Sequence, residues 1–216
     1  MKKYWNEQDL AAIKSSIHKA ELLTSTEIVP LVAETSDAYW WVHWVWTISG
    51  WAMGTLWFEY RSHHLFLEAT DLVLFQGTAM ILAFALSFIP AIKRNSIPRR
   101  WITQSVHRQA LADFLTAGLT GTRDRTAVLI YLSVFERRVN VIVDIGISAK
   151  IPNVYWEQTV QEIIRGIRSG KSVGSLCLAI ETIGEKLAEN FPRRTDDTNE
   201  IKDAVLFGHR PEGEER

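Results

Sequence analysis

Three acids and four arginines in this sequence have the types and positions that chemistry on a charged substrate would need. Glu27 heads an apolar run, EIVPLVAE; Asp124 stands just before a second run, TAVLIYLSVF; Asp144 falls late in a third, VNVIVDIGI. If those strand ends converge, the carboxylates would supply the oxygen ligands that a hard cation such as Ca²⁺ or Mg²⁺ takes. Arg123, Arg125, Arg137 and Arg138 flank the same runs and would then face an anion. A metal-bound water beside fixed cations is one way to hydrolyse a phosphate ester. Each residue also has a plainer role open to it. Asp124 in GTRDR would cap a turn or pair with a neighbouring arginine, and Glu27 would cap the start of its strand or pair with Lys19. Asp144 would be a solvent-facing strand residue, and Glu136-Arg137-Arg138 a solvated turn.

Other chemistries have less to work with. The chain contains no GxSxG, P-loop, GxGxxG, HExxH or CxxC pattern. Ser133 lies mid-strand with no histidine near it in sequence, and His63-His64 alone make a weak soft-metal site. The one cysteine, Cys177, leaves no internal disulfide or thiolate cluster, and its flanks, SLCLAIE, read as a helix interior. A net charge of −1 over 216 residues gives no reason to expect a nucleic-acid partner.

The elements that must position these residues follow from hydrophobic spacing. Asn6 and Asp9 signal a helix start, and Leu10, Ile13, Ile17 and Ala20 recur at helical spacing, predicting a helix over 6–22. Residues 27–34 read as a strand whose Pro30 suggests an edge or a bulge. Residues 101–117 form an amphipathic helix with Ile102, Val106, Ala110, Leu111, Phe114 and Leu115 on one face. Strands over 126–135 and 139–147 make a β-hairpin around the charged turn. A helix over 153–168 carries Val154, Val160, Ile163, Ile164 and Ile167, and Gly170 and Ser172 break it. A last helix over 173–191 has Leu176, Ile180, Ile183 and Leu187 on its stripe and stops at Pro192. The tail, 193–216, is mostly polar and largely loose, with only 201–207 apolar enough to dock.

Between the first strand and the others lie two long stretches without Lys, Arg, Asp or Glu, at 39–58 and 72–92. At about 1.5 Å per residue each reaches roughly 30 Å, the thickness of a bilayer core, and they read as a transmembrane hairpin. The first carries six of the nine tryptophans, and an orientation flat in the interface is its alternative. His43, near its end, is expected to make a polar contact at the interface. The link, 59–71, is weakly acidic, whereas 93–108 holds Lys93, Arg94, Arg99, Arg100 and Arg108 with no acid. That asymmetry places the link outside and both termini in the cytoplasm, with lipid contact at the basic run.

In this order, a helix ending in AELLTSTEIVPLV, an apolar hairpin, RTAVLIYLSVFERRVNVIVDIGI and IPNVYWEQTVQEIIRGIRSGKSVGSLCLAIETIGEKLAENFP resemble the TPM-domain family. More narrowly, the chain looks like that family's bacterial membrane proteins, formerly a domain of unknown function. The match covers residues 6–192, and Glu27 in TSTEI and Asp124 in RDRTAVLIYLS fall on acidic positions of the family. The resemblance implies an α/β fold, a central sheet flanked by helices on both faces, interrupted here by the hairpin. The TPM-like domain would then comprise 1–38 and 93–192 around the insertion at 39–92, with 193–216 as the tail. The family includes a thylakoid protein described as an acid phosphatase, factors tied to photosystem II repair, and an auxiliary membrane subunit of a neurotransmitter receptor. It therefore implies an interaction or assembly and maintenance module, anchored in the bacterial inner membrane beside a membrane protein complex. The alternative is a metal-dependent phosphatase acting on phosphomonoesters.

Overall fold

The computed structural model describes residues 5–62, 68–169, 172–194 and 205–208. His63-His64, Gly170 and most of the tail lie outside the described residues. The helices are α1 (Glu7–Glu21), α2 (Trp40–Ser62), α3 (Ala69–Ser87), α4 (Pro90–Ser96), α5 (Arg99–Thr116), α6 (Ile145–Ser148), α7 (Asn153–Arg168) and α8 (Ser172–Ala188). The strands are β1 (Glu27–Ala33), β2 (Ala127–Ser133), β3 (Arg138–Val143) and β4 (Leu206–Phe207). The chain divides into two compact units: Met1–Ser36 with Thr103–Arg216, and Asp37–Ile102.

The first unit is a mixed α/β fold. β1 and β2 run parallel over seven positions, from Glu27 opposite Ala127 to Ala33 opposite Ser133. β3 returns antiparallel beside β2, and β4 adds two residues parallel to β1, giving the order β3-β2-β1-β4. Pro30 thus lies one strand in from the edge. β4 meets β1 only at Leu31 and Val32, so the missing proline N–H leaves no gap in that short ladder.

Strand alternation sorts the sheet into two buried faces. Ile28 and Val32, with Val128, Ile130 and Leu132, meet Ile13 and Ile17 of α1, Ile163 of α7 and the Leu176, Ile180, Ile183 and Leu187 stripe of α8. Gly184 lets α8 close on α1, since a Cβ there would lie 2.5 Å from that of Ala20. The opposite face carries Val29, Leu31, Leu129 and Tyr131, and α5 covers it with Val106, Ala110 and Phe114. A hydrogen bond of 3.1 Å between Asn140 and His107 Nδ1 ties β3 to α5. The buried stripe of α5 runs through Ile102, Ser105, Val106, Ala110, Asp113 and Phe114, so Leu111 and Leu115 fall outside it and remain exposed. On α7, Trp156 and Thr159 are buried with Ile163, while Val154 faces out.

The α1 start is a capping box: the Asn6 side chain accepts from the Asp9 N–H, and Asp9 accepts from the Asn6 N–H. The strand expected over 139–147 ends earlier, at Val143. Asp144 caps the short α6, and Gly146 packs so tightly that a Cβ would lie 2.6 Å from the Arg125 carbonyl oxygen. In the tail, Leu206 and Phe207 do dock, as β4.

The second unit is a helical hairpin of α2 and α3. Gly50 and Gly54 form its seam, where Cβ atoms would lie 2.6 Å from the Ala79 carbonyl oxygen and 2.7 Å from the Gln76 Cα. Small residues four apart let helix backbones approach in this way. Gln76 donates to Thr55 Oγ1 at 2.9 Å. His43 is buried between the helices, stacked on Phe88 with ring centroids 4.5 Å apart. Its Nδ1 lies 2.7 Å from Ser87 Oγ, and because the Ser87 hydroxyl donates to the Phe84 carbonyl, Nδ1 is the donor. The expected interfacial contact of His43 is thus an interhelical one. The apolar run at 72–92 is not one helix: α3 stops at Ser87 and Pro90 starts α4 at its first position.

Among the described residues one helix, α3, is long and apolar enough to cross a membrane, by length and composition, with 19 residues and a mean hydropathy of 1.7. α2 is longer at 23 residues, but its six tryptophans and His43 hold its hydropathy lower. Gly54→Leu is expected to drive a side chain into the backbone at Gln76. Its overpacking cost of about 1–3 kcal/mol should appear as a lowered melting temperature in detergent. Gly77→Ala, whose Cβ meets nothing within 4 Å, should leave that temperature unchanged.

Candidate functional site

Parallel pairing of β1 with β2 and antiparallel pairing of β3 put Glu27, Asp124 and Asp144 at one end of the sheet. Glu27 lies opposite Ala127, and Asp144 donates its N–H to the Ala127 carbonyl at 3.0 Å. The expected convergence of strand ends is therefore present in the backbone. The side chains diverge in their partners. Asp144 is buried, not solvent-facing: Arg125 Nε sits 3.0 Å from its Oδ2, and Oδ1 accepts the Ile145 N–H at 2.7 Å. Asp124 takes Arg194 Nη1 at 2.7 Å, a cation 70 residues away rather than a neighbour in sequence. Glu27 lines a small cavity with His18, Glu21, Thr24 and Arg193. Lys19, its expected partner, lies 3.7 Å from Glu181 instead.

Among the described residues no group of three His, Cys, Asp or Glu side chains is placed to hold a metal ion. With a guanidinium already on Asp144 and another on Asp124, these acids do not fit a Ca²⁺ or Mg²⁺ cage, which needs several carboxylate and carbonyl oxygens turned to one point. Nor do the four arginines make one anion site. Arg123 and Arg125 precede β2, whereas Arg137 and Arg138 follow it, and a seven-residue strand spans roughly 20 Å.

TSTEI, one of the distinctive motifs, is used for closure. Thr24 and Thr26 are buried and bonded to each other, and Thr24 Oγ1 donates to the Phe191 carbonyl at 2.7 Å. Ser25 N–H donates to the same carbonyl, and Arg193 N–H reaches back to Leu23 O at 3.3 Å. Glu21 Oε1 accepts the Ile28 N–H at 3.0 Å, fixing the start of β1. The loop before β1 is thereby fastened to the ENFP end of α8.

The opposite end of the sheet holds a buried polar network that sequence spacing does not reveal. Glu136 is 3% exposed, so the charged triplet is not a solvated turn. Its Oε1 accepts the Ser36 N–H at 2.9 Å and the Thr35 hydroxyl at 3.2 Å, and its Oε2 accepts from Ser133 Oγ. Ser36 Oγ in turn donates to Ser133 Oγ at 2.9 Å and lies 3.0 Å from the Tyr131 hydroxyl. Burial pushes the Tyr131 phenol well above its ordinary value, and the charges of Asp113 and Glu136 add to that. Ser133 is thus part of a structural latch, its hydroxyl donating to a carboxylate that the Thr35 hydroxyl and the Ser36 N–H also hold. The only sequence signal was Tyr131 and Ser133 on one strand face, three to five residues before an acid.

The turn beside this network is strained. Arg137 N–H donates to Val134 O at 3.2 Å, and Arg137 sits at φ +52°, where glycine or asparagine is usual. The half-buried Trp5, Val134, Val139 and Ile164 line a cavity of about 670 Å³ next to it, with Arg137, Arg138 and Arg168 also in the lining. A second, more open groove of about 1050 Å³ runs between β3 and α7, where the buried Trp156 Nε1 has no hydrogen-bond partner.

No family model matches the chain, and no curated protein matches it. The architecture is similar to that of the BA42 protein from the psychrophilic bacterium Bizionia argentinensis, solved by NMR. The TM-score is 0.61 at 19% identity, over 96% of this chain and 98% of that one. At that identity the likeness is one of fold.

Adjacent residues in the turn should respond oppositely to substitution. Arg137→Gly relieves the left-handed backbone and is expected to raise the unfolding free energy by about 1 kcal/mol. Glu136→Ala strands the Ser36 N–H and two hydroxyls and should lower it by about 3 kcal/mol. Denaturant titrations of the two variants check both signs.

Proposed function

We propose that this protein is a membrane-anchored docking module of TPM-domain type. Its helical hairpin crosses the bacterial cytoplasmic membrane, both termini lie inside, and its first unit holds a partner in a membrane complex. The anchor is supported by the surface of the hairpin. Val73, Leu74 and Ile81 of α3 and Trp44, Ile48, Met53 and Leu56 of α2 are each more than 60% exposed. That much apolar surface is unfavourable in water and at home in acyl chains. The basic residues after α3, Lys93, Arg94, Arg99 and Arg100, favour the cytoplasmic side.

The observation that carries the docking reading is the open edge of β3. Among the described residues the strand order leaves β3 unpaired along one side, and its six residues are only half-buried. The groove between that edge and α7 suits an extended partner segment. Main-chain bonds to β3 would supply affinity, and the exposed Asn153 and Gln158 of the α7 wall offer polar contacts to the segment. The phosphatase alternative has less in its favour, because Arg125 already neutralises Asp144 and Arg194 neutralises Asp124.

Reporter fusions test the anchor: a fusion at residue 65 should read as exported and one at the C-terminus as cytoplasmic, and an exported C-terminus would overturn the placement. For docking, capture of the full-length chain in mild detergent should retain one defined partner. Asn153→Arg with Gln158→Arg, on the exposed α7 wall of the groove, should release it without lowering the melting temperature. Equal recovery by wild type and variant would sink the docking reading.

A further inference from the structure

We infer that the cavity beside the β2–β3 turn binds a single-chain anionic amphiphile, its acyl chain on the aliphatic floor and its carboxylate or phosphate on Arg137, Arg138 and Arg168. The cavity belongs to the first unit and does not depend on the docking reading. Its floor is built by the fold: Leu132 and Val139 come from paired strands, and Ile164 and Ile167 from one face of α7. α7 is fixed against α8 where Gly166 abuts Ser175. At about 670 Å³ the space lies within the range that takes small ligands.

The arginines make the case. Three guanidinium groups line one cavity, and among the described residues none of them is hydrogen-bonded or ion-paired. Elsewhere in this unit arginines are committed: Arg125 to Asp144, Arg194 to Asp124, Arg165 to Glu162. Like charges gathered without an acid repel one another until an anion arrives, and the planar guanidinium fork matches carboxylate and phosphate oxygens. Arg137 is held there at a left-handed φ that costs stability, and such strain concentrates at ligand-binding positions. The floor selects the rest of the ligand. It offers aliphatic side chains with no amide or carboxylate to pair a peptide backbone, so a hydrocarbon chain fits it and a phosphopeptide does not.

Photo-crosslinking tests the assignment. The full-length chain in phosphatidylcholine nanodiscs is illuminated with a diazirine analogue of palmitate, or with the uncharged diazirine alcohol, and adducts are mapped by mass spectrometry. The acid should label 132–139 and 164–168, and the alcohol should label them about tenfold less. Arg138→Gln with Arg168→Gln should cut labelling by the acid by about tenfold. Arg137→Gly should cut it too while keeping or raising the melting temperature, which separates loss of the ligand from loss of the fold. Added lysophosphatidylglycerol that competes with the acid identifies a single-chain membrane lipid as the source, and absence of competition identifies a free acid. Absent labelling of these segments, equal labelling by the alcohol, or labelling indifferent to the arginine substitutions would overturn the proposal.

Discussion

The parallel ladder of β1 on β2 joins residues that are far apart in the chain, and both buried faces of the first unit rest on it. Glu27 and Ala127 lie opposite each other 100 positions apart in the chain, and 66 of the residues between them, Asp37–Ile102, form a separate compact unit. Closing a loop of that size is less costly than its length suggests, because each doubling adds only about 0.6 kcal/mol. The insertion also shortens its own span. Within the second unit Lys93 Nζ donates to the Ala38 carbonyl at 2.8 Å, bringing the returning chain back to its point of departure. The ladder is thus a long-range contact in sequence and a short-range one once the hairpin has formed.

The two ends of the sheet handle charge in different ways. At the Glu27 end Asp124 meets Arg194, and Asp144 meets both Arg125 and the Ile145 N–H. At the Ser133 end the acid is buried among hydroxyls and one main-chain N–H, and the nearby arginines meet no acid among the described residues. A buried carboxylate satisfied by three donors is stable where it is, and it fixes the turn that displays those arginines.

What could be read from the sequence was local. Asn6 with Asp9 announced α1, the β-branched run announced β2, and the spacing of Leu176, Ile180, Ile183 and Leu187 announced the buried stripe of α8. The errors at the ends of the sheet came from contacts with distant parts of the chain. Alternation carried β3 through Asp144, but Gly146 turns the chain beneath the Arg125 carbonyl. Glu136 looked solvated beside two arginines, yet its partners, Thr35 and Ser36, lie about a hundred residues earlier. Gly50 and Gly54 stand among six tryptophans, and their seam depends on Gln76 and Ala79 of a helix more than twenty residues away.

The bond between Glu136 and the Ser36 N–H stands at the last residue of the first unit before the chain leaves it. In mechanical terms it is an anchor bolt. Tension arriving through Asp37 meets a buried carboxylate before it reaches β1. Beyond that it acts along the strand axis, so the seven register positions with β2 share the load in shear instead of opening one at a time.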